Sequence, residues 1–108
     1  MAEKVYSTRF IGEVSATVSP TFTVPPGYRA VVRSIDLYWI GGEAADTGIV
    51  LWAGLAYIFV AHAQPSIEAT FQWQGRQVGN PGDTLTFFAR DQPGDWGVLI
   101  SGYLLTLP

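Results

Sequence analysis

The sequence predicts an all-β protein: an antiparallel β-sandwich of about eight strands, jelly-roll-like. Three observations lead there. Pro26-Gly27, Pro81-Gly82 and Pro93-Gly94 punctuate the chain, and proline followed by glycine suits the two central positions of a type II turn. The stretches between them are rich in Val, Ile, Thr, Phe, Tyr and Trp, and no window sustains a capped helical period. Extended pieces recur every 8–12 residues or so, the spacing of sandwiches. Eight strands with long crossings favour a jelly roll, and the chain has no cysteine to form the immunoglobulin pair.

The elements follow in order. Residues 4–11 and 13–18 are the first two candidate strands. Thr21 to Val24 is short and leads into Pro25-Pro26-Gly27. Tyr28 to Ile40 is long, with neither alternating face purely apolar: Val31, Ile35, Leu37 and Trp39 share a parity with Arg29 and Arg33. A strand that alternates imperfectly predicts a bulge or a change of sheet partway along. Residues 41–46 carry no packing side chain larger than alanine and read as a loop. Gly48 to Ala63 holds two strands, with Gly54 at a turn, bulge or bend between them. Ile67, Ala69, Phe71 and Trp73 alternate with Glu68, Thr70, Gln72 and Gln74, the pattern of a half-buried strand. Gly75-Arg76 and residues 79–82 bracket a short segment after it. Thr84 to Arg90 and Trp96 to Leu107 complete the set. The segments from Val24 and Gly79 share an order of turn, Pro-Gly and strand.

At 108 residues the chain reads as one domain spanning residues 1–108, with residues 1–20 as a possible extended arm or edge strand. Hydrophobic residues are 48%, enough for a core, while charged residues are only 14% against roughly 25% in an average domain. Part of the surface is therefore neutral or apolar, the kind of surface that marks interfaces. Net charge is −3, and the basic residues are Lys4 and five scattered arginines. No basic stripe fits a phosphate backbone, so nucleic acid is not an expected partner. Arginine in preference to lysine suits protein contacts. The first residues lack the pattern of a secretory signal. The uncharged run from Thr47 to Ile67 has an apolar heart of 13 residues, Ile49 to Ala61. A spanning helix needs about 20, so the run reads as buried strand and no membrane partner is expected.

Reactive constellations are missing from the pattern. His62 is the only histidine, and neither a catalytic triad nor a metal set assembles around it; it reads as a strand-end histidine holding a hydrogen bond. Asp36 and Glu68 are the best candidates for a paired-carboxylate hydrolase, with exposed strand carboxylates as the plainer reading. Asp83, Asp91 and Asp95 flank Pro-Gly turns, where Asp serves the backbone more readily than calcium. No catalytic, cofactor or metal residue is assigned. The aromatics serve either core and subunit packing or the stacking of sugar rings. Trp73, on an apolar face, goes to the core; Trp96, beside a turn, is the candidate for exposure.

The run from Phe22 through Val24-Pro25-Pro26-Gly27 to Asp36 resembles small structural proteins of tailed bacteriophages. So does the later pattern of Trp73-Gln74-Gly75-Arg76, Asn80-Pro81-Gly82-Asp83 and Ser101-Gly102-Tyr103. The resemblance implies a virion subunit without enzymatic activity: a capsid decoration protein, a head-tail component or a tail accessory protein. Its implied partners are copies of itself and other virion proteins such as the major capsid or tail proteins. Candidate contact residues are Arg29 and Arg33, Glu43 and Asp46 in the 41–46 loop, and Pro93 and Trp96 in the last turn. The N-terminal residues are candidates for strand addition to a neighbour. The runner-up is a carbohydrate-binding module using exposed aromatics such as Trp96.

Overall fold

A computed structural model describes residues 5–13, 19–40, 45–54, 56–90 and 96–107. Among these residues are eight strands: β1 (Val5–Glu13), β2 (Thr21–Thr23), β3 (Tyr28–Trp39), β4 (Asp46–Trp52), β5 (Ala56–Ala63), β6 (Ala69–Gly79), β7 (Thr84–Ala89) and β8 (Trp96–Thr106). They form two four-stranded sheets, ordered β1-β8-β3-β6 and β2-β7-β4-β5, and every strand pair is antiparallel. The expected all-β, sandwich-like architecture is present. Four of the pairings nest: β1 with β8, β2 with β7, β3 with β6 and β4 with β5. The chain thus behaves as one long hairpin, turned at Ala53–Gly54 and rolled over itself.

Two of the three Pro-Gly turns lie among the described residues and have the expected geometry. Tyr28 N donates to Pro25 O at 3.3 Å and Asp83 N to Asn80 O at 3.0 Å. Gly27 and Gly82 take φ of 85° and 89°, the left-handed region that glycine enters without steric cost. Val24 joins the two turns, its N–H donating to Asp83 O and its carbonyl accepting from Gly82 N, each at 2.9 Å. The two segments of similar order therefore meet at one end of the molecule. Pro93-Gly94 lies outside the described residues, as do residues 14–18 of the second candidate strand.

The imperfect alternation of β3 has the predicted cause. Its register on both neighbours shifts between Val32 and Ser34. Before the shift Ala30 and Val32 join the core cluster; after it Ile35, Leu37 and Trp39 do. Against β8 the extra residue is Arg33, while against β6 Gly75 and Arg76 together oppose it; the shift lets β3 keep its apolar side inward along its twelve residues. Gly102 of β8 faces this bulge, pairing with Val32. A Cβ on Gly102 would overlap the Val31 carbonyl oxygen and lie 3.1 Å from Arg33 N.

The core lies between the sheets. Ile35, Leu37, Trp39 and Ile100 from one sheet meet Val50, Leu85 and Phe87 from the other. Burying each such side chain contributes about 1.5–3 kcal/mol. Phe10 enters at a second shift, between Arg9 and Ile11 of β1, and its ring lies 4.8 Å from that of Phe22 on β2. That contact ties the edge of one sheet to the edge of the other.

Two expectations need correction. β6 runs unbroken through Gly75-Arg76 to Gly79, where a break was expected. Gly75 leaves room for the Trp73 ring, whose Cζ2 a Cβ would meet at 2.7 Å, so this glycine serves a close approach within a strand. Ile67 precedes the strand and is exposed, whereas Ala69, Phe71 and Trp73 are half-buried on the inward side of β6.

Candidate interface residues and their surroundings

The sequence-derived contact candidates separate into three places. Arg29 and Arg33 are exposed on β3. Arg29 Nε donates to Asn80 Oδ1 at 3.2 Å, bracing the Asn80–Asp83 turn, and Arg33 projects from the bulge. Glu43 and Pro93 lie outside the described residues, as do Asp91 and Asp95. Asp46 and Trp96 are inside the protein, 2% and 0% exposed. As the first residue of β8, Trp96 pairs across the sheet with Trp39, the ring centroids being 5.1 Å apart. Phe71 and Phe87 flank the same indole at 6.0 Å each. The expectation that Trp96 is exposed is therefore corrected.

Asp46 explains how an indole N–H is accommodated there. Trp96 Nε1 donates to Asp46 Oδ2 at 2.9 Å, and Thr47 N donates to Asp46 Oδ1 at 2.7 Å. Buried polar groups persist where their hydrogen bonds are made, and both partners here satisfy one another. Gly48, two residues on, leaves space for the rings: a Cβ would lie 3.0 Å from Phe87 and 3.2 Å from Trp96. Asp46, Gly48 and Trp96 thus form a core polar contact rather than a surface for partners. The sugar-stacking reading relied on Trp96, which is enclosed; among the described residues Tyr57 and Tyr38 are the exposed tyrosines.

The titratable residues lie apart from one another in function. Asp36 is opposite Gln72 and Leu99 in the sheet, while Glu68 accepts from the Tyr38 hydroxyl at 2.9 Å. That bond to Glu68, then partial burial and the carboxylate charge, raise the Tyr38 phenol above the ordinary 10.0. A raised folded-state pKa means that the bond's contribution is fully present below the unfolded value. It is lost as pH rises through the folded one. We expect Glu68→Gln to move one tyrosine to a lower midpoint in a phenolate absorbance titration; an unchanged curve would show that the bond does not form.

His62 holds a hydrogen bond as expected, its Nδ1 lying 3.2 Å from Thr47 Oγ1. It borders an open cavity of about 210 Å³ with Gln64, Ile67, Ala69 and Phe71. That is smaller than the roughly 300–1,000 Å³ of typical small-molecule sites. Asp83 Oδ2 accepts from Asn80 N at 2.8 Å, the turn-forming role expected for it. Among the described residues no group of three or more His, Cys, Asp or Glu is placed to hold a metal ion. No helix among them is long and apolar enough to cross a membrane.

Sequence reading missed the outward side of the second sheet. Tyr57 is 64% exposed and Val60 37%. Both are on β5, the last strand in its sheet. Val60 pairs with Ile49, which in turn pairs with Phe88 on β7. Thr47 and His62 extend the same side. The uncharged run from Thr47 to Ile67 is the signal; its pattern predicts interior strand, whereas β5 also presents residues to solvent.

No family model matches the chain, and no curated protein matches it. Among solved structures, a similar chain comes from the work described as "Bacillus endospore appendages form a novel family of disulfide-linked pili". The identity is 12% and the TM-score 0.46, over 100% of this chain and 93% of that one. A likeness at this level assigns no function.

Proposed function

We propose that this chain is a structural subunit that works through contacts with copies of itself, without enzymatic activity, as a component of a bacteriophage particle. The observation that carries the first part is the uncharged outward strip of the second sheet. Tyr57 and Val60 of β5 are exposed there, their β4 neighbour Ile49 being buried, in a chain with few charges to cover its surface. Apolar area left in water is recovered by association, at roughly 25 cal/mol per Å² before ordering costs. The particle setting rests on the resemblance carried by the Val24–Gly27 opening, the Trp73–Arg76 strand and the Ser101–Tyr103 strand. Capsid or tail proteins are the further partners that setting implies, and the virion is its location.

The nested pairing of β1 with β8, β2 with β7, β3 with β6 and β4 with β5 supports a finer reading of the fold as a jelly roll. That architecture recurs in viral capsid and lectin domains, although a fold alone does not assign a function. The test is composition. Particles purified from the organism that encodes the chain should contain it in a fixed copy number, seen by mass spectrometry and by labelled antibody in micrographs. Particles that lack it would overturn the phage assignment.

A further inference from the structure

Each sheet has two edges, and three of the four are defended. β2 has only three residues and lies between Pro20 and Pro25. β1 carries the exposed Arg9, and β6 carries the exposed Arg76 among glutamines. Short strands, proline and inserted charge are the devices by which proteins prevent edges from pairing. β5 has none of these three, and its one bulge, at Ile58, leaves Phe59–Ala63 in continuous register with β4. Its eight residues, Ala56–Ala63, include no charge and no proline, and among the described residues its outer edge has no paired strand.

We propose that the β5 edge pairs antiparallel with the β5 edge of a second copy, joining two sheets into one across a twofold axis near Val60. This rests on the self-association reading above and specifies its interface. Charge favours a second copy as the occupant. The chain carries −3 overall, yet neither β5 nor the outward side of β4 bears a charge, because Asp46 points into the core. Two copies meet there without opposing like charges, whereas a charged partner finds no counter-charge.

The side-chain pattern is also self-complementary. The register on β4 shifts between Val50 and Leu51, leaving Ile58 as an extra residue. Tyr57, Val60 and His62 therefore share the outward side with their partners Leu51, Ile49 and Thr47, while Phe59 and Ala61 pair with the inward Val50 and Gly48. An axis through Val60 sets that residue against its own copy and inward Phe59 against inward Ala61. Beyond the bulge it sets Tyr57 near His62. Large side chains thus meet small or planar ones on the correct sides of the sheet. Since each copy has one such edge, the contact is isologous and closes at two.

The absence of cysteine makes the test direct. Residues opposed across antiparallel strands have Cα atoms about 4.5–5.5 Å apart, within the range a disulfide spans. Under mild oxidation the full chain carrying Val60→Cys should form a covalent dimer almost completely. Gln74→Cys, on the exposed side of β6, should remain mostly monomeric. Val60→Lys sets like charges face to face and should weaken dimerisation by at least about tenfold, with Gln74→Lys unchanged. If the unmodified chain associates, but Val60→Cys links no faster than Gln74→Cys and Val60→Lys associates normally, the β5 assignment is overturned and self-association stands. If the unmodified chain never associates, the functional reading fails and the β5 proposal with it.

Discussion

Gly102→Ala should destabilise the isolated chain severely. The clash it creates is with backbone: the added carbon would overlap the Val31 carbonyl oxygen and crowd Arg33 N. Relief requires moving β8 away from β3 at the bulge that keeps both halves of β3 facing the core. Gly102 lies in the central part of the sheet, paired on one side with Val32 and on the other with Thr8, so neither neighbour can yield alone. A penalty of at least about 4 kcal/mol places this among the exceptional substitutions, against a total stability of ~5–15 kcal/mol for a typical domain. Gly54→Ala is the contrasting case. Gly54 has φ of 76° and nothing within 4 Å of an added carbon, so only left-handed strain of about 1–2 kcal/mol is expected. Urea denaturation of both variants distinguishes the two mechanisms. A Gly102→Ala protein as stable as Gly54→Ala would show that the bulge is not packed as described.

Trp96→Ala should be nearly as damaging, at about 3–5 kcal/mol for the cavity together with about 1–3 kcal/mol for leaving Asp46 short of a donor. Trp96→Phe separates these terms, because it retains most of the ring and removes the N–H. Trp52 supplies the matching control. It is also buried, but among the described residues its Nε1 has no hydrogen-bond partner, so Trp52→Phe deletes a donor left unsatisfied by them. Trp96→Phe should therefore lower the denaturation midpoint clearly more than Trp52→Phe. Equal losses would mean that the Asp46 bond contributes nothing. Under the sugar-stacking reading, Trp96→Ala would leave a folded protein that has lost a ligand; its position in the core predicts loss of the fold instead.

The parts of this fold that were legible in the sequence are those set by local chemistry. Pro25-Pro26-Gly27 and Asn80-Pro81-Gly82 form their turns because φ is set by the residues themselves. The conflict between Arg33 and the flanking Val31 and Ile35 announced a bulge, because period-two alternation must be repaired somewhere. Trp96 was misjudged because the residue that accepts its N–H, Asp46, is 50 positions away in the chain. Proximity to a turn gives no hint of such a partner. Gly75 was misjudged because a glycine that makes room for a ring looks the same in sequence as one that ends a strand. The exposure of β5 depends on strand order, which is a property of the whole topology. The uncharged run that contains it was visible, but which of its residues reach solvent was not.

Sedimentation of the 108-residue chain over micromolar to millimolar concentration is the sharpest test of self-association. Self-association requires a mass that rises with concentration to at least twice the 11.8 kDa of one chain, and a rise suppressed by Val60→Lys. A mass that stays at 11.8 kDa throughout would contradict it.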